Sequence, residues 1–150
     1  MIKSRGFELV EPEHMVGSSY HLPTLGSKYS AAYDLYATEN VVIKPGEKHA
    51  FFTNIKAYMQ PDEVLVINVR SSIGIKKNLS LCNTQGWIDA DYYGNPDNDG
   101  NIICCLKNEG DEPVAISSGE RITQAMFIKR LPADNIVSEE ERIGGVGSTN

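Results

Sequence analysis

Nine residues, Gly86-Trp87-Ile88-Asp89-Ala90-Asp91-Tyr92-Tyr93-Gly94, set two carboxylates among three rings between glycines. Such a stretch suits a metal pair, a turn between strands, or one acid poised against a flat substrate. Asp89 and Asp91 are two apart, so on an extended strand both face one side. Two bare carboxylates that close repel each other, which calls for a cation or substrate between them, or for a turn that sends Asp91 elsewhere. Tyr92 follows Asp89 by three residues, so a turn can bring ring and carboxylate around one small molecule.

A second group with chemical potential is Arg70-Ser71-Ser72, followed by Ile73-Gly74. Taken alone it reads as a strand end with a hydroxyl cap. As an anion site it offers the fixed donor fork of arginine, with hydroxyls and free N–H groups for phosphate oxygens. Gln124 stands in an apolar run, either at an edge or as an uncharged donor directed into a site. Gly144-Gly145-Val146-Gly147-Ser148-Thr149 reads as a frayed tail, or as an arm whose glycine backbone can approach a phosphate.

Other motifs fall away on inspection. The glycine-rich end lacks the lysine and following helix of a P-loop. Asn95-Pro96-Asp97-Asn98-Asp99-Gly100 imitates the start of an EF-hand, yet Leu106 stands where a bidentate glutamate is needed, so a polar hairpin turn is expected. His14, His21 and His49 have no GxSxG partner, which leaves a serine-hydrolase triad unsupported. Cys82, Cys104 and Cys105 form no CxxC pair, and neighbours 104 and 105 point to opposite faces of a strand. They are read as reduced core thiols.

Composition narrows the class further. The chain has 150 residues, 41% hydrophobic and 23% charged, which suits one globular domain with a core of its own. The net charge of -6 and the scatter of Lys3, Arg5, Lys76, Lys77, Lys129 and Arg130 argue against a nucleic-acid surface. Val64–Ile67 is the longest aliphatic stretch, far short of a membrane span, and no apolar run follows Met1-Ile2-Lys3-Ser4-Arg5. A cytoplasmic protein is expected.

The elements that must position these groups read as strands. Turn signals at Lys44-Pro45-Gly46-Glu47, Gln60-Pro61-Asp62-Glu63, Asn95–Gly100, Asn108-Glu109-Gly110-Asp111 and Ser118-Gly119-Glu120 separate short apolar runs. Those runs are Val41–Ile43, His49–Ile55, Val64–Val69, Leu79–Cys82, Ile102–Leu106, Val114–Ile116 and Ile122–Ile128. The best helical signal is a short piece after Arg70. An all-β sandwich, jelly roll or barrel is expected.

Five segments, in order, resemble the trimeric deoxyuridine triphosphatase (dUTPase) family: Ala31–Leu35, Arg70–Ser72, Asn83–Gly94, Gly119–Gln124 and Gly144–Thr149. Gly6–Leu9 is similar to the first strand of Gram-positive bacterial and phage members. The resemblance implies an all-β jelly-roll domain over residues 1–137, a glycine-rich arm over 138–150 that closes over the active site, and a homotrimer with shared sites. It implies magnesium-dependent hydrolysis of dUTP to dUMP and pyrophosphate, with no membrane or nucleic-acid partner.

Residue by residue, Asp89 matches the family's general base, which activates the water that attacks the α-phosphate. Tyr92 matches the tyrosine that packs under the deoxyribose and excludes a 2'-hydroxyl. Asn83 and the hairpin backbone up to Ile88 match the uracil-reading element. Arg70, Ser71, Ser72 and Gln124 match phosphate contacts, joined by Ser148, Thr149 and Arg142 of the arm. Asp34 matches the carboxylate that holds magnesium through water. Asp91 is left for a structural or solvent-facing role.

One departure touches the arm. The family carries an arginine five residues before a phenylalanine that stacks on uracil, whereas Arg142 stands four before Val146. Loss of that stacking is worth roughly 1–3 kcal/mol by analogy with single-strand binders. The rival readings are a dCTP deaminase-like enzyme on the same fold, and a dUTP-dependent binding protein with reduced catalysis and a regulatory protein partner. No glutamate in Gly94-Asn95-Pro96-Asp97 fills the deaminase's catalytic position.

Overall fold

The computed structural model describes residues 2–147 and Thr149; the expected phosphate contact Ser148 lies outside them. Twelve strands among the described residues build an all-β sandwich of jelly-roll type. The largest sheet runs β2 (Thr24–Leu25), β3 (Tyr33–Tyr36), β12 (Arg121–Lys129), β7 (Glu63–Val69), β9 (Gly86–Asp89), all antiparallel to their neighbours. Opposite it lie β5 (Lys48–Phe52), β10 (Ile103–Asn108) and β8 (Leu79–Leu81), with the pairs β4 (Val41–Ile43) with β11 (Val114–Ile116) and β1 (Gly6–Leu9) with β6 (Ile55–Tyr58).

Strict alternation explains the packing. On β7, Leu65 and Ile67 point inward and are buried, while Val64, Val66 and Asn68 point out. Their inward partners on neighbouring strands are Leu35, Thr123 and Ala125, all at 1% exposure or less. Leu35, Leu65, Ile67 and Ala125 join Phe51, Leu79, Leu81, Cys104, Leu106, Ile43 and Ile116 in one continuous core. A period of two places one row in oil and the next in water, which is the pattern of an antiparallel sheet covered on one face.

Expected and observed strands differ in instructive places. Val41–Ile43 and Val114–Ile116 form with the expected bounds. The run His49–Ile55 divides into β5 and β6, because Asn54 takes φ 62 and turns the chain. Its buried side chain accepts from the Val16 N–H at 2.9 Å and donates to the Val16 and Ser19 carbonyls, tying the strand break to the N-terminal segment. The piece after Arg70 is a π-helical turn, Ser72–Lys76.

The thiols need correction. Cys104 is buried as expected, and burial pushes its thiol up to about 11. Cys82 is exposed, however, and lies across the ladder from Cys105 with Sγ–Sγ 2.7 Å. It sits just past the end of β8, where the strand turns out of the sandwich.

Residues Asn95–Gly100 form a self-satisfied polar loop rather than a metal loop. Asn95 Oδ1 accepts from the Asp97 and Asn98 N–H groups, and Asn98 Oδ1 accepts from the Gly100 N–H. Asp99 anchors the loop base on buried Lys56 at 2.8 Å and accepts from the Glu11 N–H. No group of three or more metal-ligating side chains occurs among the described residues. Among them, too, no helix is long and apolar enough to cross a membrane.

Candidate active site

Two clusters hold the residues singled out by sequence, and they lie at opposite ends of β7. At the C-terminal end, Arg70 follows Val69 as the strand gives way to the π-helical turn. Its Nε donates to Asp34 Oδ1 at 2.8 Å, and its Nη1 lies 3.5 Å from Ser72 Oγ. The backbone carbonyl of Arg70 caps the turn, accepting from the Ile73 and Gly74 N–H groups. Ser71 is exposed at the head of this turn.

Asp34 and Gln124 are direct partners across β3 and β12, and Gln124 is also paired with Asn68 of β7. They therefore share the outward face. A bulge between Arg121 and Thr123 re-aims the start of β12, which leaves Arg121 Nη1 3.7 Å from Asp34 Oδ2. Asp34 is thus nearly buried between two guanidiniums. Arg121, which the sequence reading passed over, belongs to this cluster; its place beside Gly119-Glu120 in the matched segment was the available signal.

At the other end of β7, Asp89 pairs with Val64 as the last residue of β9. A 3-10 turn over Ala90–Tyr92 then swings the chain, so Asp91 leaves the strand direction. Both carboxylates nevertheless meet one cation: Arg142 Nη2 lies 2.7 Å from Asp89 Oδ2, and Nε lies 3.0 Å from Asp91 Oδ1. The guanidinium also sits 5.7 Å from the centre of the Tyr92 ring. Asp91 is surface-exposed as expected, with the added role of holding the arm.

Tyr92 is 7% exposed. Its hydroxyl donates to the Asn101 carbonyl at 2.6 Å and accepts from Asn98 Nδ2 at 2.9 Å. Burial raises its phenol above the ordinary value. The hydroxyl is spent inside the protein, so what Tyr92 offers a ligand is its ring.

Asn83 occupies the exposed turn between β8 and β9, where Thr84 takes φ 68 and the Gln85 N–H returns to the Asn83 carbonyl at 2.7 Å. Gly86 packs closely at the strand start, where a Cβ would meet Ile67 Cβ at 3.2 Å. Ile88 turns its side chain to the core, so only its backbone can face a ligand. That backbone has a free side, because β9 is the edge of its sheet and one set of its N–H and C=O groups lacks a strand partner.

The arm does not fray throughout. Residues 131–141 run exposed beyond the sheet, but Arg142 and Gly145 return to the body. The Gly145 N–H donates to Asp97 Oδ2 at 3.2 Å. Val146 is 85% exposed and Thr149 is exposed, so neither meets a ring or phosphate pocket of its own chain.

From Val64 to Arg70 is six residues, about 20 Å at the ordinary rise of a strand. Between the clusters the outward face carries an apolar row, Met126, Val66 and Trp87, aligned across three strands. Trp87 is 70% exposed and Met126 39%. Two concavities lie away from this row, about 420 Å³ beside Lys76, Asn108 and Val114 and about 540 Å³ beside Gly46, Cys82 and Lys107. One chain therefore presents an acid end and an anion end, apart along β7.

The dUTPase family model matches residues 18–150. The chain is 45% identical over 150 residues to a deoxyuridine 5'-triphosphate nucleotidohydrolase of Lactococcus lactis, covering 99% of both chains. A dUTPase crystal structure from Streptococcus mutans superposes with TM-score 0.75 at 40% identity, covering 87% of this chain and 99% of that one. The dUTPase of Staphylococcus aureus phage phi11 shares the fold at 20% identity and TM-score 0.73, over 92% of this chain and 97% of that one.

Proposed function

This chain belongs to the dUTPase family, and from that premise we propose that it hydrolyses dUTP to dUMP and pyrophosphate in sites assembled from more than one subunit. The observation that carries the shared site is the division along β7. A general base works within hydrogen-bond reach, about 3 Å, of the proton it takes. Asp89 and the Arg70 cluster of one chain stand about 20 Å apart along the strand, so one subunit's acid works with another's anion end. The apolar row Met126, Val66 and Trp87 supplies a surface for subunits to bury, which suits the homotrimer.

In this mechanism the free edge of β9, with Asn83, reads the uracil by backbone hydrogen bonds. The Tyr92 ring packs under the deoxyribose, where a 2'-hydroxyl finds no room. Arg70, Ser71, Ser72 and Gln124 hold the phosphate chain in line, with Thr149 and Ser148 of the arm added on closure. Asp89 takes a proton from water as its oxygen bonds to the α-phosphorus. The bond from that phosphorus to the bridging oxygen breaks, and pyrophosphate departs.

Asp89 is held by the Arg142 guanidinium at 2.7 Å. A triphosphate is a stronger attraction for that fork than two exposed carboxylates. Substrate binding thus frees the base and draws the arm over the phosphates in one exchange.

The donor set suits magnesium held chiefly by the substrate. Asp34 is a single carboxylate already facing Arg70 and Arg121, which is no cage for a divalent ion but serves as an outer carboxylate reached through water. Asp34 would hold magnesium through water beside the substrate's phosphates, and the ion would supply charge neutralisation for the leaving pyrophosphate. The chain acts in the cytoplasm, in keeping with its short aliphatic runs.

The test is pyrophosphate release from dUTP, with dCTP, dTTP and UTP as controls, in magnesium and in chelator. Rapid magnesium-dependent release from dUTP alone is expected. Ammonia from dCTP would move the assignment to a deaminase, and dUTP binding without release would move it to a nucleotide-dependent binding protein.

A further inference from the structure

The loop Asn95–Gly100 takes no part in the mechanism above, yet it touches the sugar-side ring directly. Asn98 Nδ2 donates to Tyr92 Oη at 2.9 Å. The orientation of this amide is fixed by its other end, because Asn98 Oδ1 accepts from the Gly100 N–H at 3.0 Å and from Asn95 Nδ2 at 2.9 Å. The phenol, protonated at neutral pH, has one hydrogen, which goes to the Asn101 carbonyl, and so it can receive the Asn98 donor.

The loop is itself held rigid against this ring. Gly100 takes φ +85, and a Cβ there would meet the Tyr92 carbonyl oxygen at 2.8 Å. Only glycine lets the loop press so closely on the turn that carries Tyr92. Asp99 pins the far side of the loop to Lys56.

We infer that Asn98 is a specificity-determining positioning residue: by clamping the Tyr92 hydroxyl it fixes the ring that separates deoxyribonucleotides from ribonucleotides. The inference rests on Tyr92 being the sugar gate. A ring tethered at its hydroxyl by two bonds cannot tilt to admit a 2'-hydroxyl; a ring with one bond left can. The same loop receives the arm, since Gly145 lies against it so closely that a Cβ there would come within 2.9 Å of Asn98 Nδ2.

Asn98→Asp isolates the contact. It keeps an oxygen for the Gly100 N–H and the Asn95 amide, and turns the donor to Tyr92 into a carboxylate oxygen; the phenol's single hydrogen can then serve that oxygen or the Asn101 carbonyl but not both, so one of the two tethers is lost. The readout is the ratio of kcat/KM for dUTP to that for UTP, with thermal melts alongside. Loss of one hydrogen bond should lower this ratio about three- to tenfold. Tyr92→Phe, which removes both tethers at once, should lower it at least as far, and adding Asn98→Asp to it should lower it no further. An unchanged ratio in Asn98→Asp, or an equal further fall in the Tyr92→Phe background, overturns the inference. Should Asn98→Asp not fold, an unchanged ratio in Tyr92→Phe overturns it equally. Tyr92→Ala separates the two levels: if it leaves the ratio unchanged, the sugar gate itself fails; if it lowers the ratio while Asn98→Asp does not, only the role of Asn98 fails.

Discussion

Mixing two inactive variants offers a direct test of the divided site. Asp89→Asn removes the acid at one end of β7, and Arg70→Ala removes the anion clamp at the other. Each alone should be nearly inactive. Six strand residues separate the two positions, about 20 Å, several times the reach of either side chain. If one subunit supplies the acid and its neighbour the clamp, a site is intact only when the first carries the Arg70→Ala change and the second carries Asp89→Asn. Random assembly at equal amounts gives each condition a chance of one half, so about a quarter of the sites in a closed ring are whole. Coexpressed variants should therefore recover about a quarter of wild-type pyrophosphate release, with mixed trimers verified by native mass spectrometry. Asp89→Asn mixed with Tyr92→Ala, both on the acid end, should recover nothing. Mixed trimers no more active than their parents would refute the shared site and require the two ends of one chain to work together.

Asp89→Asn on its own should bind dUTP nearly as well as wild type while turnover falls about 10²–10⁴-fold in a pre-steady-state assay; comparable turnover would remove Asp89 as the base. Asp99→Asn should cost about 3 kcal/mol of stability, because it leaves the Lys56 ammonium, only 7% exposed, without its carboxylate. Burial works to raise the Asp99 carboxyl, but the Lys56 hydrogen bond and charge, with the Glu11 N–H, outweigh it and hold it below the ordinary value. The wild-type advantage should thus be full above about pH 4 and shrink as pH falls through the lowered value, a trend readable from paired melts across pH. In native thiol titration Cys82 should react first and Cys104 only after denaturation, whereas equal rates would contradict their difference in exposure.

Much of the frame was legible because its signals were local. β4 and β11 ended where Lys44-Pro45-Gly46 and Ser118-Gly119 said they would. β3 and β9 were harder, since Asp34 in one and Gly86 with Asp89 in the other interrupt the apolar alternation that marks a strand. The break at Asn54 was hidden for another reason: its partners Val16, Ser19 and Asn101 are far away in sequence. For the candidate site, residue types and order named the parts but not their separation. That separation follows from the register of β7 against β9, which no single motif encodes. Asn98 and Arg121 escaped notice because each acts on a neighbour in space, Tyr92 and Asp34, rather than on the ligand.

The free edge of β9 also has a meaning for the newly made chain. An unpaired strand beside an exposed tryptophan is a template for edge-to-edge aggregation, and proteins commonly guard such edges with brevity and charge. β9 has only four residues and ends in Asp89, with Asp91 close behind. The acid proposed as the general base would thus double as a gatekeeper during biosynthesis, and neutralising it should lower soluble yield as well as activity.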